Sequence, residues 1–353
     1  MKFKTINPAT EEEIQEFETM PKKQVMQILN EVNEAYLLWK DVPVSKKAVY
    51  FRKLCAILRK NKEQYARTIT KEMGKPIKDS RSEVEKCAFC CDVYADNAIA
   101  WMQDDVKIVD GKDHRVILQP LGVILAIMPW NFPFWQAFRF AIPTLLVGNA
   151  GILKHASNVS ECALAIEEAF MEAAFPKNVF RTVIADHESV AEVIASPFVH
   201  GVSLTGSTQA GKKIAEAAGK HLRHMVMELG GSDPFIVLKD ADVELAAKMA
   251  VVGRFINNGQ SCIAAKRFIV HESLVSEFSR LFAEKSSALV VGDPTDEKTN
   301  LGPLVNKQAL ESIEKQVQDA IKKGATVLTG AKRLGEVGYY YAPTVIMDTT
   351  PDM

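Results

Sequence analysis

The sequence predicts an α/β protein built on a parallel sheet, and three observations predict it. From Val123 onward short apolar runs alternate with helical stretches, the rhythm of βαβ units whose sheet is covered on both faces. Residues Lys22 to Met102 instead repeat their apolar positions at helical spacing. Between these regions two short strand-like runs flank a Gly-Lys-Asp turn.

Taken in order, the helical preamble reads as three long segments, broken near Pro43 and at Gly74-Lys75-Pro76. Asp105 to Asp110 and Arg115 to Gln119 read as the two strands of a hairpin. Parallel strands are expected at Val123 to Ile127, Gly151 to Lys154, Arg181 to Ile184, Val202 to Thr205 and Met225 to Leu229. A second α/β series follows, with strands at Pro234 to Val237, Lys266 to Val270 and Thr326 to Leu328, and helices at Val275 to Leu289 and Lys307 to Lys322. No repeat, low-complexity run or linker separates the two series, so the domains are expected to interleave.

Composition narrows the function. The 353 residues carry 43 Lys+Arg against 44 Asp+Glu, a net charge of -1. Without a basic excess to displace counterions, nucleic-acid and membrane-surface roles are not expected. A chain that is 47% hydrophobic and 25% charged folds, and this length suits two or three domains at roughly 150 residues each. Met1 to Met20 is acidic with no apolar core, so it is not read as a secretory signal, and no run reaches the ~20 apolar residues of a membrane span. Six cysteines in so long a chain do not make a disulfide framework, which points to the reducing cytoplasm. Cys87, Cys90 and Cys91 invite a zinc reading, but no second ligand pair accompanies them; buried helix thiols are expected, and no metal.

Ligands of parallel α/β sheets bind where strands end, so the loops after the strands hold the candidate residues. Gly206-Ser207-Thr208-Gln209-Ala210-Gly211-Lys212-Lys213 is a glycine-rich turn opening a helix, able to hold a pyrophosphate on its N–H groups. It nearly matches the phosphate loop of ATPases, but Lys213 stands where a Ser or Thr must bind magnesium. Glu228, in Glu228-Leu229-Gly230-Gly231, ends an apolar strand; burial there would raise its pKa toward that of a general base, and the alternative is a salt-bridged glutamate. Cys262, in Asn257-Asn258-Gly259-Gln260-Ser261-Cys262, is a thiol in a flexible turn, either a nucleophile or an inert core cysteine. Asn131, in Met128-Pro129-Trp130-Asn131-Phe132-Pro133, is either an oxyanion donor or the cap of the following helix. Lys154 and Ser157, in Lys154-His155-Ala156-Ser157, suit ribose or phosphate contacts, or a surface turn.

Together these five loops closely resemble the NAD(P)-dependent aldehyde dehydrogenase superfamily, and the resemblance runs from Asn7-Pro8-Ala9-Thr10 to the last residue. Met128 to Phe138, Glu228 to Val237 and Ala264 to Phe268 look like its succinate-semialdehyde dehydrogenase branch. The resemblance implies a Rossmann-type cofactor domain over residues 1–229, an oligomerisation hairpin near 105–119, and a catalytic domain over 230–353. It implies Cys262 as nucleophile, Asn131 as oxyanion donor and Glu228 as the base that activates water. It implies NADP or NAD held by Trp130, Lys154, Ser157, Gly206, Ser207 and Leu229, and a distal substrate carboxylate held by Arg139. Ser157 stands where strongly NAD-preferring members carry a glutamate, so NADP use at least comparable to NAD is expected.

Members of the superfamily continue, soon after the equivalent of Tyr341 to Ile346 and Pro351-Asp352, into a Glu-x-Phe-Gly-Pro motif, whereas this sequence stops at Met353. The expectation is a catalytic domain lacking its C-terminal part, with a homo-oligomer in the full-length form and little or no activity in the chain as it stands. The alternatives are a non-catalytic relative that keeps the fold, an enzyme for another small aldehyde, and a phosphate-loop NTPase.

Overall fold

A computed structural model describes all residues, 1–353. The N-terminal region opens with a two-stranded pairing that the sequence reading does not anticipate, β1 (Lys2–Ile6) with β2 (Glu13–Glu18). Four helices follow rather than three: α1 (Lys22–Trp39), α2 (Val44–Lys60), α3 (Lys62–Met73) and α4 (Ile77–Trp101). Pro21 and Pro43 start α1 and α2, with extended backbones just before the first helical turn. The extra break falls at Asn61, whose N–H reaches back to Ile57 and Arg59 as it leaves helical geometry. Such a one-residue break leaves the apolar spacing intact, so periodicity alone passes over it.

The hairpin is β3 (Asp105–Val109) with β4 (Lys112–Val116), so its second strand begins three residues before the expected Arg115. The reason is the turn: Asp110 and Gly111 have φ of 51° and 72°, the two positive values of a mirror-image two-residue turn, which pairs Val109 directly with Lys112. Every residue of both strands is exposed.

Five parallel strands form the main sheet, in the order β7-β6-β5-β8-β9: β5 (Val123–Met128), β6 (Ala150–His155), β7 (Phe180–Thr182), β8 (Val199–Thr205) and β9 (His224–Glu228). Between them run α5 (Pro133–Leu146), α6 (Ser160–Glu172), α7 (His187–Ala195) and α8 (Thr208–Lys220). Val123, Leu125, Ala150, Ile152, Val199 and Val202 pack with Val25, Leu29 and Val32 of α1 and with Val190, Val193 and Ile194 of α7. Central strands covered on both faces are apolar throughout, which is why they are legible as runs. The outer strand β9 is mostly exposed. Strand order reverses between β6-β5 and β5-β8, and the crevice at such a reversal is where α/β sheets bind ligands.

The second series contains β10 (Asp233–Val237) parallel to β11 (Ala265–Val270), helices α9 (Val243–Phe255), α10 (Val275–Ser287) and α11 (Lys307–Lys322), and β12 (Thr326–Thr329) antiparallel to β13 (Val345–Met347). Its core is Val237, Ala247, Ala250, Phe278, Leu281, Phe282 and Val345. The chain divides into two compact units that interleave in sequence. One comprises Met1–Thr5, Glu16–Thr68 and Arg81–Leu229; the other comprises Ile6–Gln15, Ile69–Ser80 and Gly230–Met353. No helix is long and apolar enough to cross a membrane.

Candidate active site

In the first unit the loop after β5 carries Trp130 and Asn131, both partly exposed. Asn131 is not the cap of α5: that position is Phe132, which offers no side-chain bond. Instead the Asn131 Oδ1 accepts the Phe132 N–H at 3.1 Å, which orients the amide with its NH2 as the donor end. Arg139 follows on the exposed face of α5.

Strand β6 runs two residues past Leu153, so Lys154 lies within the strand, opposite Ile127 of β5, and His155 ends it. The His155 Nδ1 accepts the Ala156 N–H at 2.9 Å, so Nε2 carries the proton and donates to the Pro133 carbonyl at 2.8 Å. Burial holds the His155 imidazole down to about 4, against the pull of its Pro133 bond and with the Lys154 charge adding to the effect. The unfolded chain titrates near 6.5, roughly. Between those values the unfolded state takes a proton that the native state refuses. The stabilisation is therefore complete above about pH 6.5 and drains away as the pH falls toward about 4, at about 1.4 kcal/mol per pH unit. Urea unfolding of the wild type should lose roughly 3 kcal/mol more than His155→Gln between pH 7 and 4; parallel pH profiles for the two would remove the neutral imidazole.

A cavity of about 420 Å³ opens at the carboxyl ends of β5, β6 and β8, lined by Ile127, Lys154, His187, Leu204, Ser207 and Lys213 among others. Burial lowers the Lys154 pKa, and no carboxylate compensates its charge. Ser207 caps α8, its Oγ accepting the Ala210 N–H at 3.2 Å. A Cβ at Gly211 would stand 2.6 Å from the Leu229 side chain, so glycine there lets Leu229, just past β9, pack against α8 without moving. A half-buried cation with no carboxylate beside it, next to a helix N-terminus, fits the phosphates of a dinucleotide. Of the expected cofactor residues, Lys154 and Ser207 line this cavity; Trp130, Ser157, Gly206 and Leu229 do not. His187 and Lys213 do line it and were not anticipated, Lys213 having been weighed only as a mismatch to a different loop.

Glu228 corrects an expectation. It stands at the end of β9 but is exposed rather than buried, because β9 is the outer strand and lies open to solvent. Its backbone carbonyl accepts the Gly206 N–H at 3.0 Å, tying the end of β9 to the phosphate-type turn.

In the second unit Cys262 is partly exposed, in the loop between α9 and β11. Asn257, Asn258 and Gly259 have φ of 57°, 58° and 71°, three successive left-handed residues that only Asn and Gly adopt cheaply. The Asn258 amide donates to Gly74 at 2.9 Å and Pro303 at 3.1 Å and accepts from the Gly302 N–H at 2.9 Å. Gln260 accepts the Val305 N–H at 3.0 Å. Arg254 donates to the Gly259 carbonyl at 3.0 Å, and the Lys266 ammonium lies 2.7 Å from the Gly231 carbonyl and 3.1 Å from that of Cys262. The loop that delivers the thiol is thus tied down by side-chain hydrogen bonds rather than left free, and two cations, Arg254 and Lys266, bond its carbonyls.

A parallel sheet with a lysine-lined cavity at its reversal point has the form of a dinucleotide-binding α/β protein, and the thiol loop narrows the class further. The family model described as "Aldehyde dehydrogenase family" matches residues 1–353, and the chain belongs to that family. Among its relatives is a "Probable succinate-semialdehyde dehydrogenase [NADP(+)]" of Synechocystis, 44% identical over 352 residues, covering 100% of this chain and 78% of that protein. The Escherichia coli enzyme Sad, a succinate semialdehyde dehydrogenase named for NAD(P)+, is 41% identical over 99% of this chain and 76% of its own length. A crystal structure of succinic semialdehyde dehydrogenase from Streptococcus pyogenes with NADP+ superposes with a TM-score of 0.96 at 34% identity, covering 99% of this chain and 77% of that one.

Proposed function

We propose that the chain oxidises succinate semialdehyde to succinate with NADP or NAD. The observation that carries this reading is Cys262, a partly exposed thiol on a loop locked by Asn258, Gln260, Arg254 and Lys266. The Cys262 sulfur adds to the aldehyde carbon, and the new oxyanion takes hydrogen bonds from the Asn131 NH2 and the Cys262 N–H. A bound NADP or NAD, held through Lys154, Ser207 and the start of α8, supplies the acceptor for the hydride. Loss of that hydride leaves a thioester on Cys262. Glu228 takes a proton from water, the oxygen adds to the acyl carbon, and the C–S bond breaks to release the acid and the thiol. Trp130, Ser157, Gly206 and Leu229 complete the cofactor's surroundings in this reading.

Arg139 selects the substrate by pairing bidentately with the distal carboxylate. Arg139→Ala should raise KM for succinate semialdehyde at least about 10-fold while leaving a neutral aldehyde of equal length within about 2-fold. Equal changes on both aldehydes would remove the substrate assignment. Ser157 puts no negative charge where a 2′-phosphate would lie, so a cofactor titration should give NADP turnover at least comparable to NAD; turnover with NAD alone would overturn that preference. The names of the Synechocystis and Escherichia coli relatives, which carry NADP(+) and NAD(P)+, support it.

Cys262 must stay reduced to act, which supports a cytoplasmic location in this reading. The hairpin β3-β4 exposes Val106, Ile108, Val109 and Val116, and an isolated two-stranded ribbon is barely stable in water; a second copy of the chain would cover it. A fold-keeping relative with little turnover is the second reading. It draws on the apolar Ile236, Leu238 and Ile269 exposed along β10 and β11, and cofactor binding without aldehyde-dependent reduction would favour it.

A further inference from the structure

The turn that carries Asn131 is gripped by side chains from two other elements of the same unit. Glu83 projects from α4 and is 5% exposed. Its Oε1 accepts the Phe134 N–H and the Trp135 N–H, both at 2.9 Å. These are first-turn donors of α5, which its own N-cap, Phe132, leaves without a side-chain acceptor, and Pro133 has no N–H to satisfy. Helices are ordinarily capped by a Ser, Thr, Asp or Asn next door. Here the acceptor comes from 51 and 52 residues upstream, so the bond that satisfies the helix also fixes where it begins. One turn along α4, the Lys86 ammonium lies 4.0 Å over the Trp135 ring and fastens the same first turn.

The same turn is held by His155, 4% exposed, whose Nε2 donates to the Pro133 carbonyl. The Phe132 carbonyl accepts the Gln136 N–H at 2.9 Å, and the Phe132 N–H goes to the Asn131 side chain. From Phe132 to Trp135 the bonds form an unbroken series, beginning at the Asn131 amide and ending on the Glu83 carboxylate.

We propose that Glu83 is a positioning residue for oxyanion stabilisation: its carboxylate, together with His155, fixes the start of α5 and so sets where the Asn131 amide stands. The proposal rests on the reading of Asn131 as oxyanion donor. A carboxylate that only stabilised the fold would affect the reaction equally whether or not the Asn131 amide were present. One that acts through Asn131 loses its effect once that amide is gone, because residues sharing one network are not additive.

The test is a double-mutant cycle on the rate of first-turnover cofactor reduction by the full chain. Asn131→Ala should slow that step about 100- to 1000-fold. Glu83→Ala should slow it about 10- to 100-fold with KM changed less than about 3-fold, and in the Asn131→Ala background it should change the rate less than about 3-fold. Glu83→Gln keeps an acceptor oxygen and should be slowed only about 3- to 10-fold, again with the effect lost in the Asn131→Ala background; it carries the cycle if Glu83→Ala does not fold. A Glu83 effect that multiplies unchanged onto Asn131→Ala, or no Glu83 effect at all, overturns the proposal alone. An unchanged rate in Asn131→Ala itself overturns the oxyanion reading.

Discussion

Replacing Cys262 with alanine should lower aldehyde-dependent cofactor reduction by at least about 1000-fold, with cofactor affinity unchanged. The size follows from the role: without sulfur there is no covalent adduct from which hydride can leave, and neither the Asn131 amide nor the cofactor cavity substitutes for it. Selectivity among the six thiols follows from burial. Cys55, Cys87, Cys91 and Cys162 are buried. Burial pushes the Cys55 thiol up to about 12 and the Cys91 thiol well above its ordinary value. The partly exposed Cys90 is also raised by burial, so its thiolate is scarce at neutral pH. Brief iodoacetamide treatment followed by peptide mapping should therefore label Cys262 first and extinguish activity in step. Labelling that settles on Cys90 while activity falls, or a Cys262→Ala protein that still turns over, would remove the nucleophile.

Glu228→Gln should separate the two halves of the reaction. The first half needs no base for water, so about one equivalent of reduced cofactor per Cys262 should appear in a burst. The second half should slow about 100- to 10,000-fold, the range general-base removal produces. The chain should then carry the acyl group as a thioester, visible as a mass increase of one succinyl unit that hydroxylamine removes. Steady turnover without a burst would assign the water-activating step elsewhere. The exposed position of Glu228 bears on this, because water reaches the carboxylate without any opening of the sheet.

The fold was legible wherever burial is two-sided or a single face is strongly amphipathic. The runs of β5 and β6 are apolar on both faces, and α11 was read to its final residue because its stripe of apolar residues is clean. Elements that fail this condition were missed or displaced: the exposed pair β1-β2, the second hairpin strand, whose start is set by Asp110-Gly111, and the short β13. The site divides in the same way. Lys154 and Ser207 sit where strand ends and helix starts put them, and sequence order alone reports that. His187 reaches the cofactor cavity from a neighbouring βα unit, and Glu83 caps a helix 51 residues away; neither arrangement leaves a local trace in the sequence. The error over Glu228 has the same origin, since an apolar run does not reveal whether its strand is central or outermost.

The left-handed run Asn257-Asn258-Gly259 has an evolutionary consequence. An ordinary L-residue pays about 1–2 kcal/mol in that conformation. Asn258 offsets this with three hydrogen bonds, and Gly259, at φ 71°, carries no Cβ to strain. Most codon changes in this stretch would therefore displace the neighbouring thiol loop without touching the thiol. Selection for the thiol chemistry should therefore reach these three positions as well as Cys262, although none of them touches the substrate.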